Sequence, residues 1–345
     1  MLNKSGRAKL AKETVSNFIP HVLKTNARAQ KGINSSELVH YVLNQDLLRS
    51  GSVATAPADA PTSTSASSIP KSQATAIKDL PEDPEDPVDK KKPSCSDDLP
   101  AGMKEPINTT SCSNPVPPTL ESPPLIKIRV IQSDTYDAVH ALLSSPISNS
   151  KSFTRVAALN MASSYTPGGG FLNGAFAQEE TLCMRSTLYY SLSSSYYRIP
   201  ELCAIYSPDI LVFRSSDMKD LSKPEWFYTD VISVAALKQP ELKFNADKTK
   251  MIYEYEQDRE LMMDKIRLIF QVAREKGVNR LCLGAIGCGA YRNPPEEVAN
   301  MFRKVILGTK KRRGVEGFEE IIFAIFDDGP NLKAFKEVFE DVMEK

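Results

Sequence analysis

Three consecutive glycines, Gly168–Gly170, separate an apolar segment ending at Asn160 from a helical pattern containing Gln178, Glu179 and Glu180. Because glycine has no Cβ, a ligand can approach such a backbone closely. A carboxylate placed just beyond the loop can act as acid or base on a bond held there. The combination favours a hydrolase whose site lies where a strand passes through a glycine loop into a helix.

From residue 125 onward, short apolar runs alternate with helical patterns. The predicted strands are 126–131, 156–160, 204–206, 210–214, 231–235, 280–283 and 321–326, and the predicted helices are 135–143, 181–194, 258–276, 295–307 and 332–342. Strands alternating with helices in this way predict an α/β fold, an α/β/α sandwich with a mixed, mostly parallel sheet. Ligands bind such sheets at the carboxyl ends of the strands.

Three segments are predicted along the 345 residues. Residues 1–50 contain two helical patterns, at 8–23 and 36–48, and are expected to dock on the main domain. Residues 51–124 are rich in Pro, Ser and Thr and hold more than half of the 24 prolines, so they cannot bury enough apolar surface to fold. They are predicted to be a disordered linker before a catalytic domain at 125–345.

Composition excludes several classes of function. Lys plus Arg and Asp plus Glu number 43 each, so no global field recruits nucleic acid or a membrane, and an anionic ligand must be caught locally. The six cysteines form no CxxC pair, and with three histidines no zinc ligand set has a recognisable spacing. No metal and no other cofactor is expected. Without an apolar leader or a membrane-spanning run, a cytoplasmic or nuclear location is predicted.

A second glycine-rich turn follows the predicted strand at 280–283. Gly284, Gly287 and Gly289 precede a helix expected to begin at Pro294 or Pro295, and backbone N–H groups there could hold a diphosphate. The alternative is a tight turn with no ligand. The loop has neither the Lys-Ser/Thr of a P-loop nor the dinucleotide fingerprint, which makes a nucleotide-dependent oxidoreductase an unlikely class.

The paired glutamates allow two interpretations. Acidic residues in the first turn of a helix complement its dipole, so Glu179 and Glu180 alone need no function. Beside a glycine loop they favour chemistry, and since adjacent helical side chains diverge by about 100°, one should be the acid/base and the other an orienting group. Asn160 is either a satisfied turn residue or a contact to a ribose hydroxyl. Tyr291 and Phe326 could stack on a nucleoside or belong to the core.

At these residues the chain resembles the microbial-type poly(ADP-ribose) glycohydrolases, a branch of the macrodomain superfamily. The matching pieces are 159–170, 177–180 with Cys183, Arg185, Ser186 and 188–189, 206–214, 283–295 and, near the N-terminus, 11–15. The likeness covers nearly all of 125–345. It implies a macrodomain-like sandwich that hydrolyses the ribose–ribose O-glycosidic bonds of poly(ADP-ribose) and releases ADP-ribose.

The resemblance also implies roles for particular residues. Glu180 would be the catalytic glutamate and Glu179 would bind ribose hydroxyls, while Gln178 would support the loop. Asn160 and the glycines Gly168, Gly169 and Gly170 would contact the ribose beside the cleaved bond and the diphosphate. A second phosphate-binding loop would comprise Gly287, Cys288, Gly289, Ala290 and Tyr291, with Phe326 near the adenosine end.

Two other functions remain open at this point. One is a macrodomain that binds ADP-ribose without turnover, although such a module needs no acid like Glu180. The other is a hydrolase of mono-ADP-ribosyl groups. The expected partners are poly(ADP-ribose) or ADP-ribosylated proteins as substrate and ADP-ribose as product, with no sequence-specific nucleic acid binding and no membrane.

Overall fold

The computed structural model describes residues 2–42, 126–146 and 154–343. The helices in these ranges are α1 (Lys4–Glu13), α2 (Ile19–Thr25), α3 (Ala27–Asn34), α4 (Thr135–Ser144), α5 (Gln178–Arg185), α6 (Leu188–Ser191), α7 (Glu256–Glu275), α8 (Pro295–Leu307) and α9 (Pro330–Phe339). The strands are β1 (Glu37–His40), β2 (Lys127–Gln132), β3 (Val156–Met161), β4 (Cys203–Val212), β5 (Phe227–Val234), β6 (Leu242–Phe244), β7 (Met251–Tyr253), β8 (Arg280–Leu283), β9 (Gly308–Thr309), β10 (Arg312–Arg313) and β11 (Glu320–Ile325). The predicted linker at 51–124 lies outside the described residues.

One mixed sheet organises the described part of the chain. Its strand order is β1-β4-β5-β3-β8-β11-β2. The neighbours from β5 to β2 pair in parallel, whereas β4 is antiparallel to β5 and β1 is antiparallel to β4. The predicted α/β fold with a mixed, mostly parallel sheet is thus confirmed.

Both faces of the sheet are apolar and covered by helices, as a mostly parallel sheet requires. On one face Leu159 and Ile232 belong to a buried cluster with residues of α7, α8 and α9, such as Phe302. On the other face Ala158 packs with α4, including Val139. Neighbouring strand residues therefore point into different layers, and the strand ends remain free to carry the loops of a site.

The N-terminal segment contacts the rest of the described chain. The Arg7 guanidinium donates to the carbonyl of Gly174 at 3.0 Å, next to the triple-glycine loop. The rings of Phe18 and Phe213 lie 4.5 Å apart between centroids. The interruption between α1 and α2 is a π-helical turn, Thr14–Phe18, and Pro20 lies in the first turn of α2. The domain boundaries given above stay a prediction.

One predicted helix is wrong. Residues 36–48 do not begin a helix, because Glu37–His40 form β1, which pairs with β4, and residues 43–48 lie outside the described residues. Leu38 and Val39 pack into different clusters on opposite faces, which is the period of two expected for a strand. The open edge of β4 provides backbone partners that the sequence pattern does not reveal.

Two other predictions divide the chain differently from the structure. The helix predicted at 181–194 is split into α5 and α6, because the chain between them turns to the sheet, where the Thr187 N–H donates to the Leu211 carbonyl at 3.0 Å. The strands predicted at 204–206 and 210–214 form one strand, β4, whose pairing register shifts between Ser207 and Ile210.

Among the described residues, no helix is both long and apolar enough to cross a membrane.

Candidate active site

The two glycine-rich loops leave the same edge of the sheet. The first follows β3 and the second follows β8, and these strands are parallel neighbours, with Val156 opposite Arg280. Their carboxyl ends therefore lie side by side, although the loops are more than 100 residues apart in sequence. Both loops are thus positioned to act on one ligand.

Gln178 joins the start of α5 to the end of β3. Its side-chain oxygen accepts the Met161 N–H at 2.8 Å, and its Nε2 donates to the Leu159 carbonyl at 2.6 Å. Nε2 also donates to the Thr135 hydroxyl at 3.2 Å. The Gln178 side chain thus forms the two hydrogen bonds to β3 that the backbone of a neighbouring strand would form. These bonds fix the position of the two glutamates that follow.

Glu179 is 4 % exposed, and its carboxylate is held by the chain around β3. Oε2 accepts the Ser163 N–H at 2.7 Å, and Oε1 accepts the Asn160 Nδ2–H at 3.3 Å. Asn160 is fully buried and also donates to the Ser233 hydroxyl at 3.0 Å, while its Oδ1 has no hydrogen-bond partner. A buried amide oxygen without a partner is able to accept a hydrogen bond from a ligand.

Glu180 is 8 % exposed and caps its own helix. Oε2 accepts the Ala177 N–H at 3.0 Å, as the third residue of a capping box does. Oε1 accepts the Gly170 N–H, also at 3.0 Å. The carboxylate therefore bridges the helix start and the glycine loop, and two backbone bonds fix its orientation.

The glycine loop needs glycine where it meets these side chains. Gly169 has φ of +56°, and a Cβ there would lie 2.7 Å from Oε1 of Glu180 and 3.1 Å from Oε2 of Glu179. A Cβ on Gly168, with φ of +68°, would lie 3.2 Å from the Cys183 sulfur. Both carboxylates thus lie directly against the backbone of Gly169.

Burial changes the protonation of Glu179. Desolvation is the main cause that raises the pKa of Glu179 to about 8, and the negative charge of Glu180 adds to it. The hydrogen bonds from Ser163 and Asn160 act in the opposite direction and are weaker. A protonated carboxyl is therefore present in the site at neutral pH.

The second loop is organised by Asn293, which is 1 % exposed. Its Nδ2 donates to the carbonyls of Leu237 at 2.7 Å and Gly287 at 3.1 Å, and its Oδ1 accepts the Tyr253 hydroxyl at 2.8 Å. Gly287 has φ of +74°, and a Cβ there would lie 2.6 Å from both Asn293 Nδ2 and the Ala236 Cβ. The turn depends on this buried amide.

Tyr291 brings the second loop to the first. Burial is the largest cause that raises its pKa, and the charge of Glu179 is the next, whereas a hydrogen bond with Ser163 lowers it. The tyrosine therefore lies beside the carboxylate pair. Gly289 and Ala290 are exposed, and Cys288 is half-buried with its thiol donating to the Ile286 carbonyl at 3.5 Å.

Phe326 follows β11 immediately, at the same end of the parallel strands, and is 63 % exposed. So large an exposed ring at a sheet edge is available to stack on a ligand.

The structure thus collects Asn160, the three glycines and the Gln-Glu-Glu run around one point, with Tyr291 beside them. No cluster of three His, Cys, Asp or Glu suited to a metal occurs in the described residues.

Sequence reasoning missed two residues of the site. Ser163 holds Glu179 through its N–H, and its hydroxyl accepts the N–H groups of Tyr165 and Thr166, both at 3.2 Å. A serine shortly before a Pro-Gly pair is typical of a turn in which the serine hydroxyl accepts backbone N–H groups, so the sequence contained a signal for Ser163. Asn293 stands before Pro294, and an Asn-Pro pair marks a turn, but its buried contacts were not visible in the sequence.

The arrangement suits proton transfer to a bound group. One buried carboxyl carries a proton at neutral pH, a second is oriented by two backbone N–H groups, and both border a loop without side chains. Because the two glycine loops leave neighbouring parallel strands, both are able to contact one ligand.

Comparison with known proteins identifies one family. The family described as the microbial-type poly(ADP-ribose) glycohydrolase (PARG) catalytic domain matches residues 97–215. No curated protein matches the chain. The other matches are to solved structures.

Three of these structures represent the likeness. A poly(ADP-ribose) glycohydrolase variant from Thermomonospora curvata is 30% identical, with 62% of this chain and 79% of that chain covered and a TM-score of 0.52. The enzyme from Deinococcus radiodurans in complex with ADP-ribose is 30% identical, with 63% and 85% covered and a TM-score of 0.51. The unmodified T. curvata enzyme is 22% identical, with 97% and 100% covered and a TM-score of 0.62, which supports the fold.

Proposed function

This chain belongs to the microbial-type poly(ADP-ribose) glycohydrolase family, a family of glycohydrolases, and from that membership we propose that it hydrolyses the ribose–ribose O-glycosidic bonds of poly(ADP-ribose) and releases ADP-ribose. The observation that carries the proposal is the contact of Glu179 and Glu180 with the backbone of Gly169. A substrate lying on that glycine has a carboxyl group within reach of its glycosidic bond.

Glu180 is assigned the acid/base role. Its carboxyl donates a proton to the departing ribose oxygen, which keeps the electrons of the broken C–O bond, and the anomeric carbon becomes oxocarbenium-like. Water then adds to that carbon and returns a proton to the Glu180 carboxylate. The products are ADP-ribose and a polymer shortened by the unit that was released, and the protonated Glu180 is regenerated.

Glu179 is assigned to the ribose that carries the cleaved bond. With its pKa raised to about 8, the carboxyl is neutral at pH 7 and can donate a hydrogen bond to a ribose hydroxyl. The unpartnered Oδ1 of Asn160 next to it can accept one from a neighbouring hydroxyl. This pairing of donor and acceptor suits a diol better than an apolar group.

The diphosphate is assigned to the two glycine loops. The first loop offers a backbone without side chains, although its Gly169 and Gly170 N–H groups already donate to the Thr166 carbonyl and to Glu180. The second loop offers backbone N–H groups at Gly289 and Ala290, which are exposed. Phe326, exposed at the end of β11, is assigned to the adenosine end. The D. radiodurans relative was solved with ADP-ribose, which supports this class of ligand.

The test uses wild type with the Glu180→Gln and Glu179→Gln variants on automodified poly(ADP-ribose) acceptor, following polymer length and released ADP-ribose. Glu180→Gln is expected to lower kcat by at least about 100-fold and to keep ADP-ribose binding. Glu179→Gln is expected to act mainly on KM. Glu296→Gln, a carboxylate in the first turn of α8, serves as the matched control.

Three other outcomes of this test would change the assignment of the acid or the function. The raised pKa of Glu179 favours the reverse assignment of acid and ribose ligand, and a larger kcat loss in Glu179→Gln would establish it. Release of single ADP-ribosyl groups from protein without shortening of polymer would instead identify a mono-ADP-ribosyl hydrolase. Tight ADP-ribose binding by wild type without any cleavage would identify a binding module.

A further inference from the structure

An aromatic side chain between β3 and the triple glycine carries two cations, and all three residues lie outside those assigned above. The Arg198 guanidinium is 4.8 Å from the ring centroid of Tyr165, and the Lys238 ammonium is 5.6 Å from it. Tyr165 is 38% exposed. We call these three residues the rim patch.

Three separate loops build the rim patch. Tyr165 lies between β3 and the triple glycine, Arg198 precedes β4, and Lys238 follows β5. The first two loops are joined by the Ile199 N–H, which donates to the Ser164 carbonyl at 2.9 Å. Backbone hydrogen bonds therefore hold Arg198 beside Tyr165.

The rim patch is adjacent to the carboxylates. The Tyr165 N–H donates to the hydroxyl of Ser163, whose own N–H donates to Glu179. On the other side, Lys238 lowers the pKa of Tyr291 while Glu179 raises it, so both side chains lie near that tyrosine. The rim patch is therefore connected to Glu179 through Ser163 and to the second glycine loop through Tyr291.

The charge of the rim patch points to an anion. Arg198 forms no ion pair with the other described residues, and Lys238 brings a second positive charge to the same ring. A cation over an exposed ring contributes only about 0.5–1 kcal/mol, which is less than the conformational entropy lost when the Arg198 side chain is ordered. Arginine with a nearby lysine and an aromatic face suits a phosphate that is linked to a base.

We propose that Tyr165, Arg198 and Lys238 form a subsite for the ADP-ribose unit on the leaving-group side of the cleaved bond. This rests on the proposed function, because the leaving ribose then belongs to a unit with its own adenine and diphosphate. Arg198 and Lys238 bind that diphosphate, and the exposed part of the Tyr165 ring contacts the nucleoside. The subsite distinguishes polymer from a single ADP-ribose, which does not extend to it.

The test compares binding of two probes without turnover. In a Glu180→Gln background, Arg198→Gln, Lys238→Gln and the double variant are titrated with ADP-ribose and with a defined oligomer of two ADP-ribose units. The double variant is expected to bind the oligomer about tenfold more weakly and ADP-ribose within about twofold of its parent. The slope of log affinity against log salt should become shallower by about 0.7 for each phosphate that no longer has a cationic partner. Lys31→Gln, an exposed lysine on α3, is the control for net charge.

Three outcomes would overturn the proposal. Equal losses for oligomer and ADP-ribose would assign the rim patch to the ADP-ribose cleft itself. No loss for either probe would remove any role in binding. Equal losses for the oligomer and for oligoadenylate of the same charge would make it a general polyanion surface. Since none of these measurements needs cleavage, failure of wild type to hydrolyse polymer would refute the proposed function alone.

Discussion

The two glycine-rich loops leave neighbouring strands at the same sheet edge, yet their glycines serve different needs. In the first loop, Gly169 makes room for the carboxylates of Glu179 and Glu180. In the second loop, Gly287 makes room for Asn293, which holds the loop together. Gly289 differs from both, because a Cβ there would have no heavy atom within 4 Å.

The comparison separates three reasons for a glycine that look identical in sequence. Gly169 leaves room for the candidate catalytic carboxylates, and Gly287 leaves room for the side chain that holds its own loop. At Gly289 a side chain would contact no other protein atom. For Gly289 any requirement must come from a ligand. Substitutions at the three positions should therefore affect stability, activity and ligand binding in different proportions.

The largest effect on stability is expected at Gly287. Gly287→Ala should lower the free energy of unfolding by about 3 kcal/mol, since it combines a left-handed backbone with contacts of 2.6 Å to Ala236 and Asn293. Chemical denaturation measures it. The control is Gly277→Ala, with φ of +69° and no atom within 4 Å, which should cost about 1 kcal/mol. Equal losses in the two variants would show that the contacts relax freely.

A smaller loss of stability, with a large loss of activity, is expected at Gly169. Gly169→Ala should lower the free energy of unfolding by about 2 kcal/mol and kcat by about 100-fold, because its Cβ displaces the Glu180 carboxylate. Denaturation and polymer turnover on the same preparation measure both. Full activity in this variant would contradict the close contact between the loop and the carboxylates.

Glu179 should make stability depend on pH in a way that the second loop does not. Its pKa is raised from 4.5 to about 8, so between these values the folded protein holds a proton that the unfolded chain has released. The contribution of Glu179 to stability is therefore fully present below about pH 4.5 and is lost as the pH rises to about 8. Glu179→Gln removes this dependence, and from pH 5 to pH 7 its stability relative to wild type should rise by about 2.5 kcal/mol.

Thermal and chemical unfolding at both pH values check this expectation. Glu260→Gln, an exposed carboxylate on α7, controls for the change in net charge. A difference between Glu179→Gln and wild type that stays constant with pH would mean that Glu179 is ionised throughout. That result would also remove the hydrogen-bond donor proposed for the ribose.

The smallest effect on stability is expected at Gly289. Gly289→Ala should change the free energy of unfolding by less than about 0.5 kcal/mol, because its Cβ meets no protein atom. If the loop backbone lies against a diphosphate, the same change should weaken ADP-ribose binding by about tenfold. Calorimetric titration measures it, and unchanged affinity would show that the ligand does not approach this residue.

Much of the fold could be predicted from local pattern. The strand at 280–283 and the helix at 295–307 have the predicted bounds, because the strand is a short apolar run before a glycine turn and the helix is an amphipathic pattern that begins at a proline and ends before a glycine. The predicted helix at 36–48 was wrong because four residues there form an edge strand on β4. A segment so short takes its structure from the partner it meets, which no local pattern contains.

The residues of the site also fall into those that the sequence predicted and those that it did not. Its glycine loops and its Gln-Glu-Glu run are continuous in sequence and were found there. Asn293 and Ser163 were missed because their importance lies in contacts with other loops, such as the bond from Asn293 to the Leu237 carbonyl. The roles of the individual residues stay predictions until the variants above are measured.

The sequence by itself determined the alternation of strands and helices, the two loops that follow β3 and β8, and the likeness to the family, since each depends on neighbouring residues. Only the tertiary structure decided which glycines are required, that Asn160 and Glu179 share a hydrogen bond, and that the pKa of Glu179 is raised to about 8. Burial and contact between distant residues set those properties. They arise only when β3, β8 and α5 pack together and exclude water from the space between them.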